Sequence, residues 1–314
     1  MAQGAVEVEF QMETRPRFRN IATLWTCTGD WGLASVNAPH LYSTGTRQPV
    51  QRASSTIHRS SSTVRCMPSL TEIVADYARS VQPLVFETGL TKFPYSTAGT
   101  VFLVGYEGKA FVLTTRHGLR PESLGPICVF PSDTSNRLIP LDDAFFVPQL
   151  DEPEDFMDLV VIAIDNSRIA NAEVGEARLI ALSPKLNGWP TDAAELVLVG
   201  YPEDHSFVDA ESEELHTQRI ALNARYVGPS SLPYLHEACV NDGHGLSTFS
   251  GFSGGPVFAV LRPPGRPPTA GLCGMAIRGT SSSNIFHFLD RSVLIDALKV
   301  RIERSATSQE THSR

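Results

Sequence analysis

The chain has 314 residues, of which 42% are hydrophobic and 19% are charged, an ordinary globular composition that excludes wholesale disorder. Its formal net charge of −8 argues against a general nucleic-acid binder, because such proteins usually carry a basic face. No apolar run approaches the roughly 18 residues that a membrane-spanning helix needs, so we expect no membrane partner.

The five cysteines, Cys27, Cys66, Cys128, Cys239 and Cys273, are odd in number and form no C-x-x-C pair. A disulfide framework is therefore not expected, which favours a reducing compartment and a cytoplasmic location. The first 30 residues also mix acidic and basic side chains without an apolar stretch, so they make a poor secretory signal.

The first 66 residues differ in composition from the rest of the chain. Residues 43–66 hold ten Ser or Thr, and no Asp or Glu lies between Gly32 and Leu70. Such a tract buries too little apolar surface to offset its ordering entropy, so residues 1–66 are predicted to be a disordered N-terminal extension. Met67 is an alternative initiator, and the folded domain is expected to span residues 67–314.

A short helix opens that domain, since Ser69 and Glu72 form a capping-box pattern; we expect it to include Val81 and to end before Pro83. Short strands rich in Val, Ile, Leu and Phe follow, without amphipathic helices between them. This alternation favours an all-β fold of antiparallel barrels or sandwiches. The strands are predicted over residues 99–105, 109–115, 126–130, 144–149, 158–165, 178–182, 195–201, 217–227, 236–240, 255–261, 271–278 and 285–289.

Two further features lie late in the chain. The acidic stretch from Glu203 to Glu214 is predicted to be a solvated loop. A final helix is expected over residues 291–304, with Asp290 as its N-cap and apolar side chains along one face.

Residues suited to nucleophilic catalysis occur at three places. Ser253 lies in Gly251-Phe-Ser-Gly-Gly-Pro256, where glycines allow a sharp turn and close approach of a substrate. A hydroxyl is a weak nucleophile without a base, and His117 follows a hydrophobic strand where an imidazole is held but reachable. Asp158 opens another hydrophobic strand, where a carboxylate could fix the imidazole tautomer.

Each of these residues alone has a structural explanation: a glycine-rich turn, a strand-end histidine, or an aspartate that ends a turn. Their order along the chain is more informative. His117 precedes Asp158 by 41 residues, and Asp158 precedes Ser253 by 95.

These segments resemble those of the trypsin-like serine peptidases with the chymotrypsin fold. Leu113-Thr-Thr-Arg-His-Gly118 resembles the family's L-T-A-A-H segment, and Asp158-Leu-Val-Val resembles its D-hydrophobic-A-hydrophobic segment. Gly251-Phe-Ser-Gly-Gly-Pro256 resembles G-D-S-G-G-P, and the resemblance covers roughly residues 95–304. It implies two antiparallel β-barrels, at about 95–182 and 195–290, with the active site between them.

Two departures from the family pattern point to its intracellular and bacterial branches. Phe252 replaces the aspartate that pairs with a liberated N-terminus in the digestive enzymes, so that activation switch is absent. Gly118 replaces a disulfide cysteine beside the histidine.

The resemblance implies a serine endopeptidase that acts on protein or peptide substrates without a cofactor. Ser253 would attack the scissile carbonyl, His117 would act as base and acid, and Asp158 would orient His117. The amides of Gly251 and Ser253 would form the oxyanion hole. The alternative is a catalytically silent homologue that binds peptides or partner proteins.

The resemblance also assigns residues that contact the substrate. Ser247, six positions before Ser253, would lie at the floor of the specificity pocket, and an uncharged floor favours neutral, apolar side chains. Ile277, Arg278 and Gly279 would form the strand that pairs with the substrate backbone.

Two other interpretations of the sequence are weaker. Gly251-x-Ser253-x-Gly255 also matches the nucleophile elbow of α/β-hydrolases, but that turn must lead into a helix, and residues 256–261 favour a strand. His236-x-x-Cys239 with His244 offers too few ligands for a convincing metal site, so none is predicted.

Overall fold

Two helices and sixteen strands occupy the part of the chain that the computed structural model describes. All of these residues belong to a single compact unit. The all-β fold class is confirmed, and neither helix in this part is long and apolar enough to cross a membrane. The described residues are 68–119, 126–131, 138–141, 143–147, 158–164, 179–183, 195–209, 211, 214–232, 234–241, 243 and 245–312.

The first half of the fold is an open, eight-stranded sheet that forms half a barrel. Seven strands run in the order β5-β4-β1-β2-β3-β7-β6 and pair antiparallel, whereas β8 pairs with β2 in parallel. The strands are β1 (Val81–Glu87), β2 (Tyr95–Tyr106), β3 (Lys109–Thr114), β4 (Ile127–Val129), β5 (Ile139–Leu141), β6 (Ala144–Phe146), β7 (Val160–Ile164) and β8 (Ile180–Ala181).

The second half is a closed, six-stranded antiparallel barrel with the order β12-β13-β16-β15-β14-β9. The remaining two strands, β10 and β11, form a separate hairpin. The strands are β9 (Glu195–Gly200), β10 (Ser206–Asp209), β11 (Glu214–Thr217), β12 (Ile220–Pro229), β13 (Leu235–Val240), β14 (Pro256–Leu261), β15 (Thr269–Thr280) and β16 (Ile285–Asp290).

A helix lies at each end of the described chain. In α1 (Leu70–Ala78) both hydrogen bonds of the predicted capping box between Ser69 and Glu72 are present. The second helix, α2 (Arg291–His312), begins where predicted, because the Asp290 carboxylate accepts a hydrogen bond from the Ser292 amide at 2.7 Å. It continues eight residues beyond the predicted end.

Each helix joins the two halves of the fold. The ring of Tyr77 in α1 packs on Phe258 of the closed barrel, with centroids 5.2 Å apart. In α2, which follows the last strand of that barrel, Arg301 forms an ion pair with Asp143 beside β6, and Arg304 lies over the ring of Phe145. One continuous apolar core therefore runs through both halves.

The end of the first helix differs from the prediction. The helix ends at Ala78, and Val81 and Pro83 lie in β1, a strand that the sequence analysis missed. Proline has no amide to donate to a neighbouring strand. Pro83 is tolerated because β4 pairs with β1 only at Val85 and Phe86, so that among the described residues Pro83 has a partner strand on one side only, β2.

The acidic stretch from Glu203 to Glu214 is not simply a loop, so that prediction is wrong. A 3-10 turn (Glu203–His205) leads into the hairpin β10–β11. Val208 and Leu215 of the hairpin pack against buried residues of the open sheet. Val208 and Leu215 pair across the hairpin and together give this acidic segment an apolar contact with the sheet.

Candidate active site

His117 and Asp158 are held together at the ends of two paired strands. Two residues separate β3 from His117, and a 2.9 Å hydrogen bond from the Leu119 amide to the Arg116 carbonyl closes the turn around it. Asp158 lies just before β7, which pairs with β3. Its Oδ1 accepts the His117 main-chain amide at 2.9 Å, and its Oδ2 contacts the imidazole Nδ1.

This arrangement fixes the histidine tautomer. A carboxylate is an acceptor only, so Nδ1 carries the proton and Nε2 is left with a free lone pair. The Asp158 side chain is only 11% exposed, whereas that of His117 is 50% exposed. The buried partner therefore orients an imidazole whose other edge faces outward.

Ser253 lies in a tight turn within residues 246–255, which we call the serine loop. A hydrogen bond of 2.8 Å from the Gly255 amide to the Phe252 carbonyl closes this turn. Gly251 and Gly254 have φ values of +89° and +87°, and a Cβ atom would lie 2.3 Å from the Tyr201 carbonyl oxygen or 2.1 Å from the Thr100 carbonyl oxygen, respectively. Only glycine fits at either position.

Phe252 anchors the serine loop in the closed barrel. The residue is 2% exposed, and its ring packs edge-on against that of Phe249. It also lies beside Gly200 of β9, where a Cβ atom would come within 2.7 Å of the ring. An apolar contact thus fixes the residue directly before Ser253.

Thr100 and Thr114 bring the two halves of the site together. The Thr100 amide donates to the Ser253 carbonyl at 3.2 Å, and its hydroxyl donates to the Gly251 carbonyl at 2.6 Å. The Thr114 hydroxyl donates to the Thr100 carbonyl and lies against Gly254. The residue after Ser253 therefore packs against the strand that leads to His117.

The Ser253 hydroxyl donates to the Ile277 carbonyl at 3.1 Å. That carbonyl is available because Ile277 sits at a bulge between β15 and β16, where Ala276 pairs with Phe288 and Arg278 pairs with His287. Within the described residues, the amides of Gly251 and Ser253 donate to no other group of the chain. These two main-chain donors are thus unused within the part of the chain that the structure describes.

The sequence-predicted substrate residues lie in different settings. Ile277 is buried, whereas Arg278 and Gly279 are exposed on β15. Ser247 is also exposed, and its amide and hydroxyl both donate to the carboxylate of Asp204, at 2.7 and 2.9 Å. The role of Ser247 at a pocket floor stays a prediction.

The weak metal candidate contains a histidine that is already engaged by other groups. His236 Nδ1 lies 2.9 Å from the Tyr226 hydroxyl, and Nε2 lies 3.4 Å from Asp290. Cys239 is a free thiol, and His244 lies outside the described residues. Together His236, Tyr226 and Asp290 form a cluster that secures the start of α2.

Sequence reasoning missed three residues that support the site: Thr100, Thr114 and Asp204. Thr100 and Thr114 lie inside strands that the sequence predicted, where a threonine is ordinary. Asp204 lies in the acidic stretch that the sequence analysis predicted to be a solvated loop. The proline and acidic pair at Pro202-Glu203-Asp204 is the signal that could have indicated an ordered turn.

Comparisons with known proteins add little at the level of sequence. No protein-family model matches the chain, and no curated protein matches it. Among solved structures, the chain is similar to the crystal structure of the inactive form of the Rv3671c protease. That pair is 15% identical with a TM-score of 0.40, covering 74% of this chain and 96% of the other.

A second solved structure comes from work on the coupled folding and binding of the intrinsically disordered Sesbania mosaic virus VPg protein. It is 12% identical with a TM-score of 0.38, covering 66% of this chain and 85% of the other. At these identities and scores, neither structure bears on what this chain does.

Proposed function

We propose that the protein is a serine endopeptidase of the trypsin-like type that uses Ser253, His117 and Asp158. The observation that carries the proposal is the convergence of two elements. The paired His117 and Asp158 stand at the end of β3, and the turn that bears Ser253 packs against the same strand through Thr114.

In the proposed reaction, Nε2 of His117 takes the proton of the Ser253 hydroxyl as Oγ attacks the scissile carbonyl carbon. Asp158 holds the proton on Nδ1 and stabilises the imidazolium that forms. His117 then gives its proton to the leaving amine, which departs and leaves an acyl-enzyme. Water, deprotonated by His117, attacks this ester and releases the acid, which restores Ser253.

The tetrahedral intermediates carry a negative oxygen that needs donors. The Gly251 and Ser253 amides are proposed to supply them, and each would lower the activation free energy by on the order of 3 kcal/mol. For the Ser253 hydroxyl to give its proton to His117, its hydrogen bond to the Ile277 carbonyl must break.

That same hydrogen bond favours the second candidate function, a catalytically silent homologue that binds peptides or proteins. A serine whose hydroxyl stays on the Ile277 carbonyl is not activated. Arg278 and Gly279 pair with β16 on one side of β15, but β14 pairs with β15 no further than Met275, so that other side would still accept an extended segment by strand addition.

One experiment separates the two functions. A fluorophosphonate probe, which reacts only with an activated serine, should label the wild-type protein and fail to label Ser253→Ala. Ser250→Ala is the matched control, because Ser250 is an exposed serine in the same loop. A Ser253→Ala protein that labels like the wild type would refute the triad, and an unlabelled wild-type protein would favour the silent homologue.

The activity assay gives the corresponding prediction. Ser253→Ala should abolish amide hydrolysis while leaving the melting temperature within a degree or two, since the lost hydroxyl is small and makes one hydrogen bond. The fall in rate should span several orders of magnitude.

A further inference from the structure

We infer that Asp204 is a positioning residue that holds the serine loop in place by binding Ser247. The inference rests on the proposed function, because it assigns how the Gly251 and Ser253 amides of that site are kept in register. Asp204 lies outside the serine loop, in the 3-10 turn after β9.

The contact is specific in geometry. The Asp204 carboxylate accepts the Ser247 amide at 2.7 Å through Oδ2 and the Ser247 hydroxyl at 2.9 to 3.0 Å through both oxygens. These bonds hold the pKa of the Asp204 carboxyl below its ordinary value. The carboxylate therefore stays ionised at neutral pH, as a charge-assisted acceptor must.

A second hydrogen bond joins the same turn to the loop. The Glu203 amide donates to the Ser250 carbonyl at 3.0 Å, three residues before Ser253. The turn is itself fixed, since the His205 amide donates to the Pro202 carbonyl and the Gln218 amide donates to the His205 carbonyl. The loop is thus tied at two points to a rigid base.

The tie complements the anchoring of the serine loop by Phe252. An aromatic side chain inserted in the barrel fixes the depth of the loop, but it makes no directional bond that fixes the peptide orientation before it. Gly251, with a φ of +89°, has no side chain to limit its neighbours. The Thr100 hydroxyl holds the peptide that follows Gly251, and Asp204 adds a directional contact at Ser247, four residues upstream of Gly251.

The test compares wild type with Asp204→Ala and Asp204→Asn, using the full chain. Glu211→Gln is the control, because Glu211 is an exposed carboxylate near the tip of the neighbouring hairpin. Two measurements are made: hydrogen–deuterium exchange of the peptide covering residues 246–252, and the second-order rate constant and final extent of fluorophosphonate labelling.

We expect Asp204→Ala to raise exchange in that peptide and to slow labelling about tenfold, since small displacements of reacting groups are costly. A folding defect would lower the final labelled fraction, whereas a displaced loop lowers only the rate constant. The final labelled fraction of Asp204→Ala should therefore stay near that of wild type. Asparagine keeps one acceptor oxygen, so the exchange and the labelling rate of Asp204→Asn should lie between those of wild type and Asp204→Ala. Glu211→Gln should match wild type.

The outcomes distinguish the inference from the proposed function. Wild type that fails to label refutes the proposed function, while exchange in Asp204→Ala still reports on the tie itself. Wild type that labels, with Asp204→Ala labelling at the same rate, overturns the positioning role. Unchanged exchange in Asp204→Ala overturns it as well.

Discussion

Replacing Phe252 by alanine removes the side chain that anchors the serine loop in the closed barrel. Phe252 is 2% exposed, and its ring packs on Phe249 and against Gly200. A buried phenylalanine hides about 150–250 Å² of surface. At about 25 cal/mol/Å² this corresponds to about 4–6 kcal/mol, and measured Phe→Ala losses in cores are about 3–5 kcal/mol.

The expected loss of stability is large enough to measure without ambiguity. For a domain of this size each kcal/mol lowers the melting temperature by about 2–4 °C, so Phe252→Ala should melt about 10 °C lower than wild type. The assay is thermal unfolding followed by circular dichroism, with urea unfolding at 25 °C as the check on the free energy.

A matched variant separates stability from positioning. Phe258, in β14, is fully buried in the core that joins both halves but lies outside the serine loop. Phe258→Ala should lose a similar free energy of unfolding, yet only Phe252→Ala should slow fluorophosphonate labelling at a temperature where both variants are folded. Equal labelling rates for the two, or a melting temperature of Phe252→Ala within about 2 °C of wild type, would refute the anchoring role.

Three further results are expected. Asp158→Asn should lower amide hydrolysis on the order of 10³-fold or more, measured as kcat/KM, because the amide permits the wrong tautomer of His117; an unchanged rate would exclude the triad. Asp290→Ala should lower the free energy of unfolding by about 1 kcal/mol at pH 7 through loss of the helix cap. Burial raises the pKa of Asp290, but hydrogen bonds from His236 and Ser292 outweigh it and lower the pKa to about 2, so this contribution is complete above about pH 4 and is lost toward pH 2. Urea unfolding at several pH values should therefore show the free energies of unfolding of wild type and Asp290→Ala approaching each other as the pH falls toward 2. A difference that stays constant with pH would contradict this. Burial raises the pKa of the Cys128 thiol to about 11 and also raises that of Cys273, so neither should react with iodoacetamide at pH 7 in the folded protein, which peptide mass mapping can check.

The sequence predicted those parts of the fold that depend on local pattern. Capping residues located the start of both helices, and dense apolar runs located most strands of the closed barrel. The strand β1 was missed because Pro83 is read as a terminator, and only the pairing pattern shows that its missing amide is harmless there. The parallel pairing of β8 with β2 is likewise a tertiary fact without a local signal.

The same division holds for the candidate site. Residue type and order predicted His117 and Asp158, and the structure brings their side chains together across 41 residues of chain. The tie between Asp204 and Ser247 spans 43 residues and involves two exposed polar side chains of ordinary types. Such a pair leaves no periodicity or spacing in the sequence, so no pattern could indicate it.

The return of α2 to the open sheet has a consequence for how the protein is made. Arg301 in α2 pairs with Asp143, which lies 158 residues earlier in the chain. Contacts over such distances slow folding, because the loop between them must close before they contribute. During synthesis at about 5–20 residues per second, the open sheet emerges many seconds before α2 can reach it. During that interval Asp143 and Phe145 lack their contacts with Arg301 and Arg304, and an incompletely packed sheet is more exposed to pairing with another copy of the chain.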